Sequence, residues 1–444
     1  MAVLILAATF MSIFLAAAER ISVHETELLV SFTIVELVAI LVAARLAGKI
    51  AHWFGQPRVV GEIVAGLLLG PSLFGRLFPK QFDFVFHSIS PVPLIILSQI
   101  GLCLLMFQIG LEFDFTQLKQ KTNRAAVIAI SVAGIALPFA LGWVVAVWSQ
   151  PVLAPGINLL GYRLFLAVAL SITAIPILGR IMMELGITRT KLGVIAITSA
   201  AINDVVGWTL LAIVSALTAA QFSAGKFSGQ VGLLILYLLL WLFVFRPLLN
   251  RAITAFRSDN DRLPHDLLAL MLVVIFVSGL VTFELGVFVI FGGFIAGMML
   301  HDNTKFVEAW KKTVSHFVTV FFLPIFFTFT GLRTNVQGLD SATLWGWCGM
   351  IVAAATVGKF IGCGAAARWC GMNWNEAGCL GIMMNTRALM ELVVINVGYD
   401  LGVIPPNVFT MLVLMAVLST IITAPALRLW LPKLGWKYEL RSDV

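Results

Sequence analysis

Long apolar runs constrain this chain more than any other feature of its sequence. Many of them exceed the roughly 18 residues that carry a helix across a bilayer. Only 11% of the 444 residues are charged, whereas soluble domains average about 25%. Lipid supplies no hydrogen bonds to the backbone, and the alternating pattern of a membrane β-barrel does not occur, so the spanning segments must be helices. We therefore predict an all-α polytopic membrane protein.

The apolar runs predict thirteen transmembrane helices. Their approximate bounds are 27–48, 57–74, 93–111, 125–148, 161–182, 190–218, 229–250, 264–282, 284–300, 313–331, 342–366, 375–399 and 404–432. A fourteenth candidate, 2–18, ends in "LAAAER", which also resembles the cleavage site of a signal peptide. We favour an extra helix, and residues 1–26 are an extra N-terminal helix or a signal-like segment.

Lys and Arg residues are distributed unequally between the two ends of these spans. With residue 27 outside, the inner loops and span ends hold 21 of the 29 Lys and Arg residues, and the outer ones hold six. Cytoplasmic loops attract positive residues, so the count predicts a cytoplasmic C-terminus and a short cytoplasmic tail, 433–444. The net charge of +7 then reflects loop asymmetry, and we expect no nucleic-acid partner.

Three motifs of the first half have weak counterparts in the second half. The stretches 61–75, 104–114 and 169–180 match 291–303, 325–335 and 381–392, in that order. The members of each pair lie seven spans apart, so they cross the membrane in opposite senses. Three matches in the same order predict inverted repeats, an architecture of many secondary transporters.

Asp204 and Lys359 are charged residues deep inside predicted spans. Each is the only charged residue of its stretch, 192–225 for Asp204 and 341–367 for Lys359. They lie about 20 Å and about 13 Å along the helix from the nearest charged residue at the span end. A charge at mid-membrane costs about 2.5–3.5 kcal/mol even on insertion scales. An isolated Asp could simply hydrogen-bond between helices, but two deep charges of opposite sign favour a switchable ion site, with Lys359 as charge partner.

Residues around Asp204 extend this predicted site. Asn203 adds an amide oxygen, and Ser199 adds a hydroxyl about one turn earlier. Gly207 lies one turn from Asn203 and keeps the helix face small. Small residues allow a neighbouring helix to approach closely, so ordinary helix packing also accounts for the glycine.

Two helix breaks are expected at positions related by the repeat. Pro176 in "SITAIPILGR" removes a backbone donor and disfavours helix at Ile175, which is expected to free carbonyls near Thr173 and Ala174. In the second repeat, the polar run 385–387 interrupts "MMNTRALMEL" at the matching place. Broken helices at repeat-related positions indicate the substrate site of a transporter.

For the other polar residues within the spans, we favour a structural role over a role in transport. Arg387 and Glu391 are four residues apart, so they are expected to pair on one helix face. Together with Thr386, they are predicted to support the core. Gln108 and Glu62 either line the ion path or bridge helices.

The motifs that hold these residues resemble one family. "QPRVVGEIVAGLLLGPSLFG", "GLCLLMFQIGLEFDF", "SITAIPILGRIMMELGI", "AAINDVVGW" and "NTRALMELVVINVG" are similar to signatures of the monovalent cation:proton antiporter superfamily, specifically its second branch. That branch holds bacterial Na⁺/H⁺ antiporters, Kef-type potassium efflux systems and plant cation/proton exchangers. The resemblance covers about residues 27–432.

The resemblance implies a homodimer with two groups of helices in each protomer. An ion-binding core, 125–218 and 342–432, contains the two crossing broken helices. A dimerisation panel comprises 27–111 and 264–331, and 229–250 is a linker helix. The core is expected to move against the panel, and membrane lipid is a further expected partner.

The resemblance also implies roles for single residues. Asp204 matches the second residue of the family's essential acidic pair, Lys359 its core lysine, and Thr173 a position that helps to coordinate the ion. One position departs from the pattern, because electrogenic members carry Asp-Asp where this chain has Asn203-Asp204. An Asn-Asp pair is more typical of electroneutral exchange, whereas Lys359 resembles the electrogenic type, so both stoichiometries stay open.

We predict a secondary active transporter, not an enzyme, that exchanges Na⁺ or K⁺ for protons by alternating access. Deprotonated Asp204 is the expected ligand of the metal ion, and both ions are transported substrates, so no cofactor is expected. The predicted location is a bacterial inner membrane. Two alternatives use the same fold: a Kef-like gated potassium efflux protein, and a proton-coupled exporter of an organic or ionophore-like solute.

Overall fold

The computed structural model describes residues 23–56, 58–87, 91–111, 124–185, 187, 190–219, 224–255, 263–285, 288–387 and 389–435. All regular secondary structure in these ranges is helical, which confirms the predicted all-α class. Ten helical stretches among the described residues are long and apolar enough to cross a membrane, and two further apolar helices are shorter. The candidate helix 2–18 lies outside the described residues.

Fifteen of the helices in the described ranges define the architecture. They are α1 (Val23–Trp53), α2 (Arg58–Leu69), α3 (Val92–Leu111), α4 (Arg124–Leu153), α5 (Leu159–Ser171), α6 (Ile175–Glu184), α7 (Lys191–Ala219), α8 (Ala224–Leu240), α9 (His265–Glu284), α10 (Val289–Leu300), α11 (Leu323–Leu332), α12 (Ala342–Trp369), α13 (Trp374–Met384), α14 (Leu389–Asp400) and α15 (Pro406–Trp430). A π-helical turn, Trp241–Phe245, joins α8 to the helix Arg246–Ala255. Each of the thirteen predicted spans overlaps a helical stretch of the described residues, and 229–250 and 313–331 also include π-helical turns.

Two of the predicted spans are indeed broken. The first is interrupted between α5 and α6, where Ile172 has an extended backbone with φ −75° and ψ 150°. The second is interrupted between α13 and α14, after Met384. These are the two repeat-related positions that the sequence indicates, so the predicted pair of broken helices is confirmed.

The role expected for Pro176 is wrong in its detail. Helix α6 begins at Ile175, so Pro176 occupies the first helical turn, where its missing N–H costs no intrahelical hydrogen bond. The carbonyl of Ala174 is not freed, because it accepts the backbone N–H of Leu178 at 3.1 Å. The carbonyls at the end of α5 are satisfied by side chains of the second repeat.

Glycines at two helix contacts reflect the inverted repeat. Helix α2 packs on α11, and α3 packs on α10. A Cβ atom on Gly331 of α11 would lie 2.0 Å from the Gly66 carbonyl oxygen of α2. A Cβ atom on Gly297 of α10 would lie 2.1 Å from the Phe107 carbonyl oxygen of α3. The motifs of α2 and α10 are matched by the repeat, and so are those of α3 and α11. The two contacts therefore correspond to each other in the two repeats, which supports the predicted repeats.

Helix α7 connects the elements around the breaks. It packs against α4 and against all four half-helices, α5, α6, α13 and α14. On another face, the Trp208 ring meets Phe291 and Phe294 of α10 at centroid distances of 5.6 and 5.3 Å. The helix that carries Asp204 therefore lies between the crossing and the helices predicted to form the panel. The division into core, panel and linker stays a prediction.

Candidate cation and proton site

The two chain breaks cross each other and are joined directly. The backbone N–H of Ala174 donates to the Thr386 carbonyl at 2.9 Å. The Thr173 hydroxyl donates to the Met384 carbonyl at 3.1 Å. The interrupted segments of the two repeats thus satisfy part of each other's hydrogen-bonding need, in a region where water is not available to do so.

Two buried cations cap the end of α5. The Arg387 guanidinium donates to the carbonyls of Ala169 and Leu170, at 2.9 and 2.6 Å. The Lys359 ammonium donates to the Ser171 carbonyl. The C-terminal end of a helix carries a partial negative charge and unsatisfied carbonyls. Both cations are therefore placed where that end stabilises positive charge.

Hydroxyl groups serve the corresponding end of α13. The Thr386 hydroxyl donates to the Met383 carbonyl at 2.8 Å, and the Thr173 hydroxyl donates to the Met384 carbonyl. The Thr420 hydroxyl of α15 accepts the backbone N–H of Arg387 at 3.2 Å and donates to its carbonyl. This helix end is therefore satisfied by neutral donors, so its partial negative charge is not neutralised by them.

Asn203 and Asp204 lie on α7 beside this crossing. Their exposed fractions are 0% and 1%, so both side chains are removed from bulk solvent. A Cβ atom added to Gly134 of α4 would lie 3.2 Å from Asn203 Nδ2 and 3.8 Å from Met384 Cε. The missing side chain at Gly134 thus leaves room for the Asn203 amide close to the end of α13.

Two buried amides at this place have no hydrogen-bond partner within the described ranges. They are the side chains of Asn203 on α7 and Asn385, which follows Met384 at the second break. Both have an exposed fraction of 0%. Buried polar groups are usually hydrogen-bonded, so an orphaned pair requires an explanation. Amide and carboxylate oxygens are ligands that hard cations accept, and the set therefore fits a transported cation.

Lys359 is hydrogen-bonded to the first break. Its ammonium donates to the Thr173 hydroxyl at 2.6 Å, in addition to the Ser171 carbonyl. The Arg387 guanidinium acts on it electrostatically, and the carboxylates of Glu391 and Asp204 act on it in the opposite sense. Lys359 and Asp204 therefore interact electrostatically, whereas the hydrogen bonds of Lys359 are made with Ser171 and Thr173 at the end of α5.

Thr173 and Ser199 are near the crossing but already engaged. Thr173 accepts from Lys359 and donates to Met384, so its hydroxyl joins the two repeats. The Ser199 hydroxyl donates to the Val127 carbonyl of α4 at 3.4 Å. Their predicted role as cation ligands is untested, and in this conformation both hydroxyls hold helices together.

The predicted pairing of Arg387 with Glu391 is present. The Arg387 Nη1 and Glu391 Oε2 atoms are 3.0 Å apart, and both side chains are fully buried. Glu62 and Gln108 lie on other helices. Glu62 of α2 forms an ion pair with Arg45 of α1 at 3.3 Å, and Gln108 is a half-buried residue of α3.

Sequence reasoning missed Gly134 and Thr420 and gave Asn385 no role in ion binding. Gly134 is one of many glycines in apolar helices, and nothing local distinguishes it. Thr420 is a hydroxyl in an apolar helix, a signal that many merely structural residues also give. Asn385 did carry a usable signal, since it opens the polar run that ends α13.

A buried acidic side chain on a helix that touches four half-helices of two inverted repeats defines a class of protein. This is the arrangement of secondary active transporters, whose sites lie at mid-membrane where broken helices meet. The model of the family "Sodium/hydrogen exchanger, transmembrane" matches residues 37–432. The chain belongs to this family, and the predicted family and exchange of a monovalent cation for protons across a membrane are confirmed.

Individual relatives agree with this assignment. The Na(+)/H(+) antiporter NhaS4 of Synechocystis sp. is 38% identical over 394 residues, which are 88% of this chain and 94% of that protein. The K(+)/H(+) antiporter 1 of Saccharomyces cerevisiae is 32% identical over 387 residues, 85% of this chain but only 44% of that protein. The solved structure of the sodium proton antiporter MjNhaP1 from Methanocaldococcus jannaschii is similar in fold, with a TM-score of 0.60 at 16% identity over 90% of this chain and 97% of that chain.

Proposed function

We propose that Asp204 carries either one Na⁺ or K⁺ ion or one proton at a time, and that this competition couples the two fluxes. The deprotonated carboxylate binds the cation together with the Asn203 amide oxygen. Protonation removes the negative charge that makes dehydration of the cation favourable, so the cation leaves. Because the site carries one or the other, passage of the cation in one direction is coupled to passage of protons in the other.

The observation that carries this proposal is the burial of Asp204 beside the crossing. Its helix contacts all four half-helices, so a change in the relative position of the breaks reaches the carboxylate directly. The adjacent Asn203 amide is buried and lacks a hydrogen-bond partner among the described residues, so its oxygen is available to coordinate a bound cation. Na⁺ and K⁺ both fit this donor chemistry, and both occur in the names of the relatives.

Alternating access follows from the two groups of helices. The core, with α4 to α7 and α12 to α15, moves against the panel and exposes Asp204 to one side of the membrane at a time. Thr173 and Ser199 join the coordination when the core rearranges. The protein acts as a homodimer in a bacterial inner membrane, with its C-terminus in the cytoplasm, and contributes to pH homeostasis there.

Everted membrane vesicles provide the test. With a proton gradient established, addition of NaCl or KCl is expected to dissipate the gradient through the wild-type protein, as reported by a pH-sensitive fluorescent dye. Asp204→Asn keeps the size of the side chain and removes its charge and its proton. We expect this variant to lose exchange of both cations at every pH.

Glu36→Gln is the matched control. Glu36 is also a buried acid, with an exposed fraction of 5%, but it lies on α1 of the predicted panel. The Glu36→Gln variant is expected to exchange both cations as the wild type does. Normal exchange by Asp204→Asn would contradict the site. Proton movement upon addition of an organic cation but of no alkali ion would favour the exporter, and single-channel currents would favour the Kef-like protein.

A further inference from the structure

A groove on the outer surface of the helix bundle is separate from the candidate cation site. It lies between α12, α13 and the end of α15 and has a volume of about 530 Å³. Its lining is apolar except for Arg368, and it includes Phe360, Gly364, Trp374 and Trp430. A groove of this composition, open along a membrane-spanning surface, fits a hydrocarbon chain.

The groove owes its shape to a glycine and to an aromatic floor. A Cβ atom on Gly364 would meet only the Ala377 carbonyl oxygen, at 3.5 Å, so the space above it is open. The Phe360 and Trp430 rings stack below it with centroids 5.6 Å apart. From Phe360 to Arg368 the helix rises by about 12 Å. That length fits within one leaflet, since the whole hydrocarbon core is about 30 Å thick.

Arg368 is held at the mouth of this groove. It donates to the Met372 carbonyl, and its guanidinium lies 4.8 Å from the centroid of the Trp374 ring. A guanidinium has five N–H donors, so these two contacts leave donors available. The acid Glu376 caps its own helix, because its Oε2 atom accepts the backbone N–H of Asn373 at 2.8 Å.

Four other arginines differ from Arg368 in this respect. Arg45, Arg246, Arg333 and Arg387 each have a carboxylate within 4.0 Å. Within the described ranges, no such ion pair involves Arg368. An arginine fixed by a carbonyl and an aromatic ring, but without an acid, is suited to bind a phosphate group bidentately.

The level of Arg368 in the membrane agrees with a headgroup position. It is the penultimate residue of α12, and two neighbouring tryptophans are largely exposed, Trp369 by 92% and Trp374 by 78%. Exposed tryptophans at the ends of spans are typical of the boundary between hydrocarbon and headgroups. A phosphate at Arg368 and an acyl chain running toward Phe360 therefore match the layers of the bilayer.

We propose that this groove binds one anionic phospholipid, with its phosphate on Arg368 and an acyl chain along α12 as far as Phe360. The lipid contacts three elements that lead to the candidate cation site: α12 carries Lys359 next to Phe360, α13 is followed directly by Asn385, and α15 carries Thr420. Binding therefore braces these helices against one another from the lipid side. The proposal concerns binding and holds whichever ion is transported.

Native mass spectrometry of the delipidated protein tests this proposal. The protein is titrated with phosphatidylglycerol or with phosphatidylcholine of the same acyl chains. An arginine near the membrane surface contributes about 1 kcal/mol to attraction of anionic lipid, which is about a fivefold preference for the first phosphatidylglycerol bound. Arg368→Gln should remove the preference, and Arg368→Lys, which keeps the charge but not the bidentate fork, should retain only part of it.

Two further variants separate the groove from general lipid binding. Gly364→Leu places a side chain in the groove, where its Cβ atom would meet the Ala377 carbonyl oxygen at 3.5 Å, an ordinary contact distance, and it is expected to weaken the first binding step of both lipids. Arg251→Gln changes an exposed arginine outside the groove and should leave the preference unchanged. Equal affinity of the wild type for both lipids, or a preserved preference in Arg368→Gln, would overturn the proposal. Full competition by millimolar inorganic phosphate would also overturn it, since the acyl chain would then contribute nothing.

Discussion

The break between α5 and α6 and the break between α13 and α14 cross each other, but their helix ends are satisfied by different kinds of group. Carbonyls at the end of α5 receive the guanidinium of Arg387 and the ammonium of Lys359. Carbonyls at the end of α13 receive the hydroxyls of Thr386 and Thr173. One negative helix end thus holds resident cations, whereas the other is served by neutral donors.

This difference indicates where a mobile cation can be accommodated. The end of α5 is already neutralised, and a second positive charge there would meet Arg387 and Lys359. The end of α13 keeps its partial negative charge, and it is followed by the orphaned amide of Asn385. The inverted repeat therefore supplies two similar breaks, and we expect the transported ion near the second one, whose helix end is served by neutral donors.

Removing the charge of Arg387 should have the largest effect on stability. Arg387→Gln leaves Glu391 as a buried carboxylate without its 3.0 Å partner and deprives the α5 carbonyls of their donors. Breaking a buried ion pair by removing one partner costs about 3–5 kcal/mol. We expect a large decrease in the unfolding temperature in detergent, measured by tryptophan fluorescence.

A double-mutant cycle distinguishes the ion pair from the helix end. Arg387→Gln combined with Glu391→Gln removes the stranded carboxylate, so the double variant should be more stable than Arg387→Gln. It should remain less stable than the wild type, because the α5 carbonyls still lack the guanidinium. Wild-type stability of Arg387→Gln would contradict the structural role assigned to the first break.

Much of this arrangement could be predicted from local sequence patterns. Apolar runs predicted the spans, and polar or proline interruptions predicted both breaks. An unsatisfied backbone group is energetically costly in lipid, so such interruptions are rare and easily recognised. The pairing of Arg387 with Glu391 followed from their spacing of four residues. These are short-range features, and the chain carries them in contiguous stretches.

The hydrogen-bond partners across the crossing could not be predicted in the same way. Depth along a helix placed Lys359 and Asp204 at similar levels, but it does not determine which neighbour a side chain reaches. Lys359 donates to Ser171 and Thr173, which precede it by 188 and 186 residues. Such contacts depend on the relative rotation of α5 and α12, which packing sets and no local pattern records.

Thr173 joins the two breaks, and its loss should have an intermediate effect. Thr173→Val keeps the shape of the side chain but removes the acceptor for Lys359 and the donor for Met384. Leaving a buried polar group unsatisfied costs about 1–3 kcal/mol. Thr173→Ser keeps the hydroxyl and should be close to the wild type in the same unfolding assay. Equal losses for the two variants would show that packing of the methyl group matters more than the hydrogen bonds.

Asn385 should have the smallest effect on stability and a specific effect on transport. Its amide has no partner among the described residues, so Asn385→Ala leaves no group orphaned, and we expect a change in stability below about 1 kcal/mol. A hydrogen bond to a charged group contributes about 1.5–3 kcal/mol. If the Asn385 oxygen binds the cation with a strength comparable to such a hydrogen bond, its loss should weaken the apparent cation affinity by about tenfold or more. The affinity is measured from the Na⁺ and K⁺ dependence of exchange.

Asn396 is the matched control for this last prediction, because it is a buried asparagine of the same repeat with the opposite environment. Its Nδ2 atom donates to Thr330 and to the Leu392 carbonyl, both at 2.9 Å, and its Oδ1 atom accepts from Arg333 at 3.2 Å. Asn396→Ala should therefore reduce stability and leave cation affinity unchanged. If Asn385→Ala instead behaved like Asn396→Ala, the second break would be as structural as the first, and the orphaned amide would not mark the place of the transported ion.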